Sequence, residues 1–268
     1  MNDDFYAFFE SKNYASEDQI REFRSIYIPY VKPILGHIKS PLAVDFGCGR
    51  GEWLGMLSEQ GFRTQGVDLD QGMLSSAQQK GLDVQLGDGI DYLRQIPEKS
   101  VSVLTAFHVL EHLTFDKILE FFRQSRRVLI PGGLLIAETP NPENLHVVTS
   151  NFYLDPTHIR PIPILQMISL AQYFGYSRHT VIRLQEQKDL YEKEAVTFRD
   201  LFYGVSKDYG LIAQGPGGSD ELAHDLDHPL QYETGIGIDE MIKRLDRRIE
   251  VLSETVARTS EHKNIDPK

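Results

Sequence analysis

The chain predicts an α/β fold: a mostly parallel sheet of roughly seven strands with helices on both faces. Two features of the sequence predict it. Short apolar runs alternate with longer segments of helical period, and each of those segments carries a glycine at or just past its end. A parallel sheet buried on both faces needs this alternation, because each crossover must carry a helix back over the sheet. The 268 residues, 41% of them hydrophobic, are enough to bury the core that such a sheet requires.

The elements follow in order. The N-terminal stretch SEDQIREFRSIYIPYVKPIL begins at a plausible helix cap, Ser16, and is stopped by Pro29 and Pro33. With the residues before it, it is expected to form a helical cover, 1–38, over the mouth of the sheet. Strands are expected at 42–47, 63–69, 83–88, 101–107 and 133–140, then in HTVIRLQ and DYGLIAQGP, which closes the α/β domain at 39–214. Residues 215–234 are rich in glycine, proline and acid and read as a linker. Beyond it Ile238, Ile242, Leu245, Ile249, Leu252 and Val256 keep the spacing of a coiled-coil seam over 235–258. A lone amphipathic helix docked on the domain accounts for the same spacing. A disordered tail is expected at 259–268. No period of internal repetition is visible.

Composition limits the function. The formal charge of −11 speaks against a nucleic-acid footprint over the whole surface. The single cysteine, Cys48, rules out an internal disulfide framework, and no apolar run approaches the length of a membrane span. A cytoplasmic protein is expected, held at the inner face of the membrane through partners if at all.

Chemistry concentrates at three places. The turn after the first strand, AVDFGCGRGEW, holds Gly47, Gly49 and Gly51, which permit a tight turn and close approach of a ligand to the main chain. Asp68 ends the second strand where a carboxylate can accept both hydroxyls of a ribose, and Asp88 ends the third. The window TAFHVLEHLTF places His108, Glu111 and His112 where a regular helix would gather them on one face, as inverted zinc-peptidase motifs do. At the end of a strand, however, the window lines a pocket instead. The long polar stretch ETPNPENLHVVTSNFYLDPTHIRPIP has the profile of a functional loop and can bring His158 back to it.

In its glycine turn, in Asp68 and Asp88, and in VLIPGG before the fifth strand, the chain from about 40 to 185 closely resembles the class I S-adenosylmethionine-dependent methyltransferases. The resemblance implies a Rossmann-like fold with S-adenosyl-L-methionine as cofactor and S-adenosylhomocysteine as product, which makes 39–214 the catalytic domain. It implies a cofactor site of Asp45, Gly47, Gly49, Asp68, Leu69, Met73, Asp88, Gly89 and Phe107, with Asp45 ordering the turn even if it touches no ligand. Arg24 would meet the methionine carboxylate, or else is a surface arginine. His108 or His112 would serve as catalytic base, or one of them caps the next helix.

The window also resembles that of metal-dependent RNA 3′-end 2′-O-methyltransferases. That resemblance implies a divalent ion on His108, Glu111, His112 and His158. A histidine at 108 in place of that family's first glutamate favours manganese, iron or zinc over magnesium.

The block as a whole resembles the methyltransferase domains of bacterial surface-polysaccharide (O-antigen type) modifying and chain-terminating enzymes. This implies O-methylation of a sugar hydroxyl on a glycan acceptor, self-association through the coiled coil, and glycosyltransferase or other polysaccharide-assembly modules as partners; no nucleic-acid partner is expected. Two alternatives stand beside it: a methyltransferase for quinones or lipid-like phenols, and an inactive cofactor-binding assembly module.

Overall fold

The computed structural model of the chain describes residues 15–263. Seven strands form one sheet in the order β3-β2-β1-β4-β5-β7-β6: β1 (Leu42–Phe46), β2 (Arg63–Asp68), β3 (Val84–Leu86), β4 (Val101–Phe107), β5 (Leu129–Pro140), β6 (Arg178–Leu184) and β7 (Asp208–Gln214). The first five are parallel, with the chain crossing from β3 at the edge to β4 beside β1, and β7 runs antiparallel between β5 and β6. The alternation of strands and helices predicts such a mostly parallel sheet, and its arrangement is the Rossmann-like methyltransferase architecture that the resemblance implies.

Every residue of β4 and β7 is buried, and β1 and β5 are buried over most of their length. Helices therefore pack on both faces. On one face the helix Phe115–Val128 starts at Thr114, whose hydroxyl accepts from the Lys117 amide. Its buried residues Ile118, Phe121, Phe122, Ser125 and Val128 form the stripe that faces the sheet. Phe121 meets Phe46 of β1 edge-on, ring centroids 5.0 Å apart. On the other face Trp53, Leu57 and Val31 pack against Ala43, Val103 and Ile136.

The N-terminal helix, Glu17–Ser25, begins with a capping box: the Ser16 hydroxyl accepts from the Gln19 amide, and the Ser16 amide donates to Gln19 Oε1. It lies over the carboxyl ends of the strands, as the expected cover would; residues 1–14 of that cover lie outside the described residues. The expected linker 215–234 is corrected. It contains two short helices, Asp220–Asp225 and Asp227–Leu230, whose Leu222, Leu226 and Leu230 are buried in the core. Leucines at a four-residue spacing supply enough apolar surface to dock a segment that its polar composition marks as free.

The C-terminal helix runs from Ile238 to Lys263. Residues 259–263 of the expected disordered tail belong to it, and 264–268 lie outside the described residues. Its first turns pack on the domain through Ile238, Met241 and Leu245, beside Leu201 and Val205. Ile249, Leu252 and Val256 remain exposed. No described helix is long and apolar enough to cross a membrane.

Candidate active site

The carboxyl ends of β1, β2, β3 and β4 open into a cavity of about 820 Å³. Its floor is the glycine turn. Gly47 has φ of 76° and Gly49 of 51°, and a Cβ at Gly47 would collide with Val109, so the turn needs glycine for both conformation and space. Asp68 stands over it: one carboxylate oxygen accepts from the Gly49 amide at 2.8 Å and the other from the Asp70 amide at 2.8 Å. Each oxygen keeps a second lone pair for a ligand. Leu69, Met73, Gly89 and Phe107 line the same cavity. Asp88 also lines it, while its Oδ1 caps the helix Gly89–Gln95 by accepting from Ile90 and its Oδ2 pairs with Lys117 at 3.0 Å. Burial opposes its ionisation, but Lys117 and the cap amides hold its carboxyl below the usual range.

Asp45 is placed differently from the other expected cofactor residues. It is 3% exposed beneath the turn, accepts from the Thr105 hydroxyl at 2.6 Å, and does not reach the cavity. Burial pushes its carboxyl up to about 7, against Thr105 and Arg24. Its position is that of a structural residue, because the β1 side chain before the turn points back into the sheet rather than out with the loop.

Arg24 is not a surface arginine. It is 8% exposed, lines the cavity, and forms a buried ion pair with Glu138 at the end of β5. Its guanidinium lies 4.0 Å from the centroid of the Phe107 ring. The Tyr27 hydroxyl donates to Glu138 Oε2 at 2.5 Å, and His108 Nε2 contacts Glu138 Oε1 at 3.0 Å.

The His-x-x-Glu-His window is not a regular helix. His108 has a left-handed φ of 54°, uncommon for a residue with a side chain, and Leu110–His112 is a single turn of 3-10 helix. The window is therefore split. His108 turns toward Glu138, Glu111 and Asp208, at 3.0, 3.3 and 3.9 Å. Burial opposes its charge, but Asp208, Glu111 and Glu138 together hold it protonated well above the ordinary histidine range. His108 therefore has no lone pair to take a proton from an acceptor at neutral pH, and although it reaches Glu111 it does not converge with His112 and His158, the other residues expected to share an ion with it.

Those three do converge. Glu111, His112 and His158 each bring a donor atom within 4.8 Å of the others, and the two histidine rings lie edge to face at 4.6 Å. Glu111 is fully buried; its Oε2 accepts from the Thr139 hydroxyl at 3.0 Å, while Oε1 faces His108 Nδ1 at 3.3 Å. His158 Nδ1 lies 2.6 Å from the Phe152 carbonyl, which can only accept, so Nδ1 carries the hydrogen and the neutral ring keeps its lone pair on Nε2. Burial, with His158 nearby, lowers His112, while Glu111 opposes. The polar loop after β5 thus brings His158 to the pocket, and the Ile159 amide fastens that loop by donating to the Glu111 carbonyl at 2.9 Å.

Glu138, Tyr27 and Asp208 are not among the residues the sequence reading singles out. Their one signal is position, an acid at each of the adjacent ends of β5 and β7, and it emerges only once the strand order is known.

Residues 44–137 match the profile of the family described as a methyltransferase domain. That stretch of the chain is similar to a class I methyltransferase domain. A probable S-adenosylmethionine-dependent methyltransferase of Mycolicibacterium smegmatis is 27% identical over 133 residues, 50% of this chain and 51% of that protein. Bacillus subtilis YqeM, which bears a methyltransferase name, is 35% identical over 101 residues, 35% of this chain and 40% of its own length. The chain spans about half or less of the curated relatives it matches. Among solved structures, an S-adenosylmethionine-dependent methyltransferase of Archaeoglobus fulgidus superposes with a TM-score of 0.69 at 26% identity, over 78% of this chain and 99% of that one. A phosphoethanolamine N-methyltransferase of Haemonchus contortus in complex with S-adenosyl-L-methionine superposes at 0.55 with 14% identity, over 78% and 59%, a likeness of fold alone.

Proposed function

We propose that the protein is an S-adenosylmethionine-dependent O-methyltransferase acting on a sugar hydroxyl of a bacterial surface polysaccharide, in the cytoplasm. The observation that carries this reading is the shared cavity: Gly47, Gly49, Asp68 and Asp88 open into the same space as His112 and His158. The cofactor, when bound, supplies an electrophilic methyl group on a sulfonium. The glycine turn and Asp68 hold and orient it, the cover helix excludes water, and His112 takes the proton from the attacking hydroxyl. That assignment replaces His108, whose proton is held by three carboxylates. A net charge of −11 suits a carbohydrate acceptor better than RNA, whose phosphates call for basic side chains.

A second reading places a divalent ion on Glu111, His112 and His158. The convergence of the buried Glu111 carboxylate with two imidazoles favours it, and such a mixed oxygen and nitrogen set suits manganese, iron or zinc. An ion there would lower the pKa of a bound hydroxyl and orient a vicinal diol. The exposed seam of the C-terminal helix fits self-association as a coiled coil, which would set the enzyme's spacing from a glycosyltransferase module.

The test is transfer of labelled methyl to short mannose- and rhamnose-containing oligosaccharides, with quinone and phenol acceptors beside them. Each is run with EDTA and with added manganese. Label in the sugars supports the glycan reading, and EDTA sensitivity rescued by manganese supports the ion. Label only in phenols or quinones would move the enzyme to small molecules.

A further inference from the structure

We infer that Asp155 and Thr157 are positioning residues that fix His112 in the tautomer with the lone pair on Nε2; its catalytic consequence rests on the methyl-transfer reading above. Both residues line the cavity. The Thr157 hydroxyl lies 2.6 Å from Asp155 Oδ1 and 2.7 Å from His112 Nδ1. It has one hydrogen to give. Asp155 is a carboxylate that can only accept, and although burial opposes its charge, the Thr157 hydroxyl and amide hold its carboxyl below the usual range. The hydroxyl hydrogen therefore goes to Asp155, and Thr157 Oγ must accept from His112 Nδ1–H. Nε2 is left as the nitrogen with the lone pair.

The chain of bonds has the logic of an acid that orients a histidine, with a hydroxyl inserted between the two. The consequence for transfer is direct. The acceptor oxygen attacks the methyl carbon; the new C–O bond forms as the C–S bond breaks, its electron pair passing to sulfur. The hydroxyl proton moves to His112 Nε2 and leaves afterwards to water. A histidine with hydrogen on Nε2 would present a donor to the acceptor and stall this step.

The same bonds would exist if the two residues only shaped the loop, since the Thr157 amide also donates to Asp155 Oδ1, at 2.8 Å. The readout that separates the two roles is the tautomer itself, observed by long-range proton–nitrogen correlation on the full chain labelled with nitrogen-15 in histidine. In the wild type, His112 Nε2 should resonate as an unprotonated nitrogen. Asp155→Ala releases the Thr157 hydrogen to His112 Nδ1 and should move the ring proton to Nε2. Thr157→Val should give a mixture, and Thr157→Ser should restore the wild-type pattern. In the methyl-transfer assay kcat should fall about 100-fold or more in Asp155→Ala, with the cofactor dissociation constant unchanged and Thr157→Ser near wild type. A wild-type His112 protonated on Nε2, or an Asp155→Ala chain with an unaltered tautomer, overturns the inference. Correct tautomers in a chain that methylates no acceptor would instead sink the transfer reading and leave the positioning intact.

Discussion

Asp45 shows how a single residue can be placed by the fold rather than by its ligand. Its folded pKa, about 7, lies above its ordinary value of 3.8 because burial disfavours the charge. The folded state therefore holds a proton that the unfolded chain loses first, so this residue's stabilising effect falls as pH rises from about 4 to about 7. Asp45→Asn removes the effect. The melting temperature of the variant minus that of the wild type should grow between pH 5 and pH 8, and a difference that is flat or falls would show that Asp45 is ionised at no cost. Residues of this kind divide what the sequence reveals from what it does not. Gly47, Gly49, Asp68 and Asp88 are legible because each follows a recognisable strand and acts through its place on the chain. Asp155 and Thr157 act through His112, more than forty positions away, and no local pattern marks them. His108 reads as a partner of His112 by spacing, yet the left-handed backbone at that position turns it toward Glu138 and Asp208.

At the scale of elements, the cover helix is fastened over the cofactor cavity by one buried ion pair, Arg24 with Glu138, and by surface pairs such as Arg21–Glu59 and Lys80–Glu17. Exposed pairs contribute little, whereas removing one partner of a buried pair costs about 3–5 kcal/mol. Arg24→Met should therefore destabilise the fold by roughly 3 kcal/mol in urea titrations and weaken cofactor binding, while Arg21→Ala shifts stability by less than about 1 kcal/mol. The double variant Arg24→Met/Glu138→Gln should cost less than the sum of the two single changes; strict additivity would mean that the pair does not couple. The sequence marked this helix through Ser16 and its prolines, but nothing in its pattern separates a buried arginine from a surface one. The segment 215–234 misled in the opposite sense, since glycine and acid hide the Leu222, Leu226, Leu230 spacing.

The C-terminal helix divides its seam between two tasks. Ile238, Met241 and Leu245 dock on the domain, while Ile242, Ile249 and Leu252 stay exposed, the last two at 53% and 52%. Self-association should appear as a dimer or larger species in light scattering, and Ile249→Asp with Leu252→Asp should return it to a monomer with an unchanged melting temperature at low concentration. A wild-type monomer would leave the seam without a partner of its own kind.

For the whole molecule, the order of strands does what no single element can. By carrying β4 between β1 and β5, it sets the Asp68 side of the cavity against the histidine side, so that under the proposed function cofactor binding and proton transfer would belong to separate walls of one chamber. The alternation of apolar runs foretold the sheet. That Glu138 and Asp208 would meet over His108 could not be read from it, because they are brought together by the antiparallel insertion of β7 beside β5. The separation of walls is the central claim, and calorimetric titration with S-adenosylmethionine, paired with methyl transfer, tests it most directly. The wild-type chain and His112→Asn should bind the cofactor with dissociation constants within about twofold of each other, with transfer lost by about 100-fold or more in the variant. Asp68→Ala should weaken binding at least tenfold, about 1.4 kcal/mol or more. Binding lost in His112→Asn, or kept in Asp68→Ala, would contradict the account.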